Sequence, residues 1–169
     1  MVSKIIHALL IFIFFIFQTS VFPAFDFNGI TPNLMIILAA SCGFMRGEMY
    51  GMLVGLFSGL LIDIFNGDVI GFYACVYMMI GYVNGMFQRI SYPEDIKLPL
   101  ILILGSDIVY GLGSYILLFL LRNRLDMWFY IKSIIIPEAV YTILVAFAVY
   151  PLLLFLHKKL EAAERRSNE

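Results

Sequence analysis

Apolar positions in this chain come in long unbroken runs, without the alternation of a half-buried strand or the single stripe of a water-facing helix. Six runs stand out: Ile5–Phe22, Ile30–Met45, Met49–Phe65, Val69–Phe87, Leu98–Leu121 and Ile134–Leu156. A helix crosses a bilayer with about 20 apolar residues, within a range of roughly 17–25. Each run therefore predicts a spanning helix, the second being short. Thr31-Pro32 is a good helix start for that second run. Pro137 falls in the first turn of the sixth, where proline is tolerated, and Pro151 near its end predicts a kink. Lys4 precedes the first run as it would in a signal peptide. Gln18-Thr19-Ser20-Val21 offers no A-x-A-like cleavage site, so a retained helix is expected.

Composition agrees with the pattern. The 169 residues are 62% hydrophobic and 14% charged, whereas a soluble domain is about half apolar and a quarter charged. The expected fold is an all-α integral membrane protein: a six-transmembrane-helix bundle over residues 1–156, with a short cytoplasmic tail at 157–169. The tail "HKKLEAAERRSNE" reads as an exposed helix in which Glu161 reaches Arg165 at i,i+4.

Basic residues set the orientation. With the N-terminus inside, the cytoplasmic segments hold Lys4, Arg46, Arg89, Lys97, Lys158, Lys159, Arg165 and Arg166, and the outer segments only Arg122, Arg124 and Lys132. Both termini are thus expected in the cytoplasm. The outer loops at 23–29 and 66–68 carry Asp26 and Asp68 and no base. The stretch "RNRLDMWFYIKS", with Trp128, Phe129 and Tyr130, is expected to lie in the membrane interface.

Several function classes fall away. A net charge of −1 gives no basic surface for nucleic acid. Cys42 and Cys75 sit inside apolar runs with neither metal nor disulfide spacing. His7 and His157 flank the first and last runs and are expected at the interface. There is no phosphate loop, zinc spacing or Ser/His pairing, so neither cofactor nor metal is expected. No loop could hold a soluble catalytic domain.

What remains is a set of small and acidic residues inside the runs. Gly47, Gly51, Gly55 and Gly59 fall every fourth residue, and Asp63 takes the next place. Steps of four overshoot a helical turn by about 40°, so they trace one slowly winding stripe. Lipid provides no hydrophobic drive between helices, and small residues let backbones approach. The stripe predicts a groove for another helix, within the bundle, in a partner or in a second copy of the chain. Gly81 and Gly85 make a shorter groove on the fourth run, and Arg46 stands in the turn before the third. The motif is common in membrane helices and carries little specificity alone. An aspartate at mid-bilayer costs about 2.5–3.5 kcal/mol on insertion scales. Asp63 lies near a helix end, where the cost is lower. Asp107 lies near mid-membrane and shares a face with Gly111 and Ser114 by i, i+4, i+7 spacing. Glu138 opens the sixth run, where a carboxylate suits a helix N-terminus. Asp63, Asp107, Ser114 and Glu138 are the candidates for a polar pocket inside the membrane.

In order along the chain, these residues resemble the bacterial rod shape-determining protein MreD family. Pro32-Asn33-Leu34 opens the second helix as the family's P-D-L does, with asparagine where aspartate is common. Arg46-Gly47 precedes the third helix, and the glycine ladder leads to Asp63. "DIFNGDVIGFYA" is similar to D-x-x-x-G-x-x-x-G-x-x-A, which places Asp63, Gly67, Gly71 and Ala74. "IGYVNGMFQR", Ile80 to Arg89, is similar to the fourth helix and its basic end. The resemblance implies a non-enzymatic subunit of the elongation machinery for lateral peptidoglycan synthesis. Its implied partner is an MreC-like bitopic protein, within a complex that holds an MreB-like filament, a SEDS glycosyltransferase and a penicillin-binding protein. It also implies an architecture similar to the S-components of energy-coupling-factor transporters.

Two other readings remain. A small-molecule-binding or transport subunit would use the intramembrane acids and would hold a ligand inside the bundle. An intramembrane aspartyl protease would need Asp63 and Asp107 to share a proton and a water. Their depths differ, however, and "LGSD" departs from the G-x-G-D pattern of presenilin-like proteases.

Overall fold

A computed structural model of the chain describes residues 2–25, 29–66, 70–90, 96–116 and 127–167. Asp26, Gly67, Asp68, Arg122 and Arg124, and the side chains of Lys4, Arg165 and Arg166, lie outside the described residues. Every regular element among them is helical: α1 Val2–Ile16, α2 Leu34–Arg46, α3 Glu48–Asn66, α4 Phe72–Met86, α5 Lys97–Tyr115, a short α6 Met127–Tyr130 and α7 Ile136–Ser167. A π-helical turn, Phe17–Val21, extends α1, and another, Ile131–Ile135, joins α6 to α7.

Among the described residues, four stretches are long and apolar enough to cross a membrane: Ile5–Ala24, Glu48–Phe65, Lys97–Tyr115 and Met127–Ala163. Trp128, Phe129 and Tyr130 are thus part of the helical stretch that leads into α7. That helix runs on through Pro151 into the tail, where Leu160 is buried. The second and fourth apolar runs give shorter helices than their lengths predict, 13 residues in α2 and 15 in α4. At 1.5 Å per residue α2 is about 20 Å long, against a hydrocarbon core of about 30 Å. The causes are local. Asn33 caps the start of α2, Gly47 at φ +97° ends it, and Gly71 at φ +93° delays the start of α4.

The short helix is the centre of the molecule. Leu34 through Phe44 are all buried, as expected of a helix that is apolar all round and enclosed by others. It packs against α1, α3, α4, α5 and α7. The outer helices turn large apolar side chains outward: Ile5, Leu9, Phe12 and Ile16 on α1, and Ile136, Val140, Leu144 and Phe147 on α7. Contiguous apolar stripes of this size are a liability in water and the normal surface in lipid.

The start of α2 shows how irregular backbone is satisfied here. Asn33 Oδ1 accepts from the Ile36 N–H at 3.3 Å, and Gln18, from the π-helical turn that follows α1, accepts from the Met35 N–H at 2.9 Å. In a medium without water these first-turn donors need protein partners.

Candidate functional site

The turn between α2 and α3 is a single residue, Gly47. Its N–H donates to Gly43 O at 2.7 Å and its carbonyl accepts from Gly51 N at 3.0 Å. Its φ of +97° suits glycine, and an added Cβ would lie 2.8 Å from the Gln88 side chain. That side chain is itself committed: Gln88 Nε2 donates to Met45 O at 3.0 Å.

From this turn α3 runs directly along α4, backbone against backbone. A Cβ at Gly51 would collide with Gly81 O and Gly43 Cα, one at Gly55 with Tyr77 O, and one at Gly59 with Ala74 Cα and Tyr73 O. The approach is reciprocal: a Cβ at Gly81 would strike Gly51 O, and one at Gly85 would strike Glu48 Cα. Gly51, Gly55, Gly59, Gly81 and Gly85 thus all lie in one internal contact, with Gly43 of α2 as a further member. Facing carbonyls and glycine Cα atoms at this range can form Cα–H···O contacts, worth about 0.5–1 kcal/mol each.

Asp63 lies where this contact ends. It is 2% exposed. Its Oδ1 accepts from the Tyr73 N–H at 3.0 Å and its Oδ2 from the Ala74 N–H at 2.9 Å. Gly71 is the N-cap of α4 and has no capping side chain. The carboxylate of α3 therefore completes the first turn of α4 and places negative charge at its positive end. Asp63, Gly71 and Ala74 are one joint: acceptor, left-handed turn residue, and small residue under Gly59.

A family model described as rod shape-determining protein MreD matches residues 2–160. The chain belongs to the MreD family. No curated protein and no solved structure matches it. Together with its four long apolar stretches, the family makes this a rod-shape-determining integral membrane protein.

A second polar group in this MreD-family chain joins α2, α4, α5 and α7. Thr142 of α7 accepts from the Asn33 N–H at 3.1 Å and hydrogen-bonds the Asp107 carboxyl. Asn33 Oδ1 also accepts from the Tyr77 hydroxyl at 3.0 Å. Tyr77 stacks on Tyr110 with ring centroids 5.5 Å apart and planes at 12°, and Tyr73 stacks on Tyr77 at 6.4 Å. Asn33 serves as an acceptor twice over, a task aspartate performs equally well. Asp107 is buried, and among the described residues neither its Oδ1 nor the buried Ser114 hydroxyl has a hydrogen-bond partner. Glu138 lies within electrostatic reach of Asp107. Asp63 and Asp107 share no partner: one holds backbone N–H groups of α4, the other the Thr142 hydroxyl.

Arg46 closes the end of the molecule where α2 stops. Its Nε donates to His157 Nδ1 of α7 at 3.3 Å, and its guanidinium lies 5.0 Å from the Tyr50 ring centroid. His7 of α1 meets the same ring edge-on at 5.0 Å. A cation at the last turn of α2 also suits the helix dipole.

Gly43 stands four residues before Gly47 and continues the spacing of the ladder back into α2, so the sequence did carry a signal for it that a ladder read from Gly47 onward passes over. The other participants carried little. Thr142 is the one serine or threonine in the sixth apolar run. Tyr73, Tyr77 and Tyr110 are three of ten tyrosines, and only the packing selects them.

Proposed function

We propose that this protein is a non-enzymatic, multi-pass subunit of the bacterial elongation complex in the inner membrane. It binds an MreC-like bitopic protein and so helps to organise lateral peptidoglycan synthesis. In this reading all six apolar runs cross or enter the bilayer as one bundle of the energy-coupling-factor S-component kind. Both termini are cytoplasmic, in line with the excess of Lys and Arg on the segments assigned to that side.

The observation that supports the reading best is the backbone contact between α3 and α4, closed at one end by Asp63. It makes α2, α3 and α4 a stiff unit whose outer surface is defined to within a side chain. A single-span partner, which has only one helix to offer, needs such a preformed surface. The role of the ladder is to fix that surface rather than to touch the partner.

Co-purification from detergent tests this. Gly55→Leu forces α3 off Tyr77 O and is expected to reduce recovery of the MreC-like partner severely, and Gly55→Ala to reduce it less. Undiminished recovery with a folded Gly55→Leu protein refutes the reading. Reporter fusions at the C-terminus test the orientation separately, and an external C-terminus refutes it.

A further inference from the structure

We infer that the trough between α1 and α3 binds one acyl chain of an anionic phospholipid, with the phosphate held at the Arg46 end. The trough is an open apolar groove of about 480 Å³. His7, Ile11 and Phe12 line it from α1, and Tyr50, Leu53 and Phe57 from α3. It extends on α3 from Tyr50 to Leu61, about 16 Å at 1.5 Å per residue. Its two ends differ. Toward the end of α3 the rings of Phe15 and Phe65 meet at 5.2 Å. At the other end His7 and Tyr50 put polar edges on the wall, and the Arg46 guanidinium lies over Tyr50. His157, which accepts from Arg46, is followed on α7 by Lys158 and by Lys159, whose Nζ lies 4.6 Å from the Phe155 ring centroid.

The lining argues against a helix as occupant. Helices dock in lipid where small residues let backbones approach. Ala8 is the one small residue in this lining, and Gly51, Gly55 and Gly59 of α3 are committed to the α4 side. A flexible chain can follow a wall of large branched and aromatic side chains that would hold a helix off. Charge selects the headgroup. Glu48, the acid at this end of α3, sits 4.0 Å from Arg89. With Glu48 set against Arg89, the balance of Arg46, Lys158 and Lys159 against Glu161 leaves this end positive and favours a phosphate diester with no compensating amine. Basic pockets at helix ends recognise such lipids.

The test is native mass spectrometry of the full chain in detergent, with phosphatidylglycerol and phosphatidylcholine of matched acyl chains added in turn. One phosphatidylglycerol is expected to be retained at least about tenfold better. Arg46→Gln is expected to remove the preference, so that phosphatidylglycerol is retained no better than phosphatidylcholine. Ala8→Trp, which fills the trough without touching the basic end, is expected to lower retention of both. Equal retention of the two lipids by the wild type overturns the proposal. So does full retention in Ala8→Trp, displacement by inorganic phosphate alone, or a co-purified protein cross-linking to residue 57 in place of lipid. If Arg46→Gln does not fold, Lys158→Gln/Lys159→Gln tests the same preference, and an unchanged ratio overturns the proposal.

Discussion

Replacing Asp63 by alanine separates two accounts of an aspartate in an apolar helix by the sign of its effect. If the carboxylate faced acyl chains, removing it would relieve part of the roughly 2.5–3.5 kcal/mol that such a group costs at mid-bilayer, and the protein would gain stability. The structure gives it two bonds, to the N–H groups of Tyr73 and Ala74 at 3.0 and 2.9 Å. Alanine leaves both donors orphaned in a buried place, at about 1–3 kcal/mol each. The expected loss is therefore about 2–6 kcal/mol, more than the roughly 0.5–2 kcal/mol of an ordinary N-cap. Asp63→Asn keeps one acceptor oxygen and gives up the charge at the start of α4, so it should lose about half as much. Reversible unfolding in mixed detergent micelles, followed by circular dichroism, reads the difference. A change within about 0.5 kcal/mol for Asp63→Ala, or a gain in stability, refutes the joint between α3 and α4.

Other substitutions probe the same packing. Gly55→Ala pushes a methyl group into Tyr77 O and should destabilise the fold clearly. Gly105→Ala on α5, where an added Cβ meets nothing within 4 Å, should be neutral or gain up to about 1 kcal/mol from helix propensity. Equal effects in the same unfolding assay would show that the ladder is no tighter than an ordinary helix surface. Tyr77→Phe removes the 3.0 Å bond to Asn33 and should cost about 0.5–1.5 kcal/mol; a stabilised variant contradicts that bond. Asn84 Nδ2 donates to Ser106 Oγ of α5 at 2.8 Å and to Ile80 O at 2.7 Å. Asn84→Leu should loosen α5 from α4 by about 0.6 kcal/mol, the usual scale of a hydrogen bond between membrane helices. Hydrogen exchange in the middle of α5, around Ser106, that is no faster than in the wild type counts against it.

The apolar runs made the helical class legible, because unbroken hydrophobicity has few other uses. They overstated the lengths of α2 and α4. Hydropathy does not register where a helix stops, which is decided here by backbone angles at Gly47 and Gly71 and by the cap at Asn33. The glycine spacing in α3 marked a close contact but could not say with what, since a stripe fits a neighbouring helix or a foreign one equally well. Asp63 read as a charge in need of cover, and its use as the missing cap of another helix depends on Gly71 having no side chain to offer. Glu138 read as a residue suited to its own helix start, whereas the fold also brings it beside Asp107. Such pairings between α5 and α7 are set by the crossing of two helices some 30 residues apart, and no local pattern encodes them.

Because the first donors of α4 are satisfied by a side chain of α3, neither helix is a finished object alone. Until Asp63 arrives, the opening turn of α4 holds bare amides that the hydrocarbon cannot accommodate. Before α4 docks, the flank of α3 is a glycine groove with no side chains to fill it. The two are therefore best delivered from the translocon as a hairpin, and a pause or cleavage between residues 66 and 72 during synthesis would strand both halves.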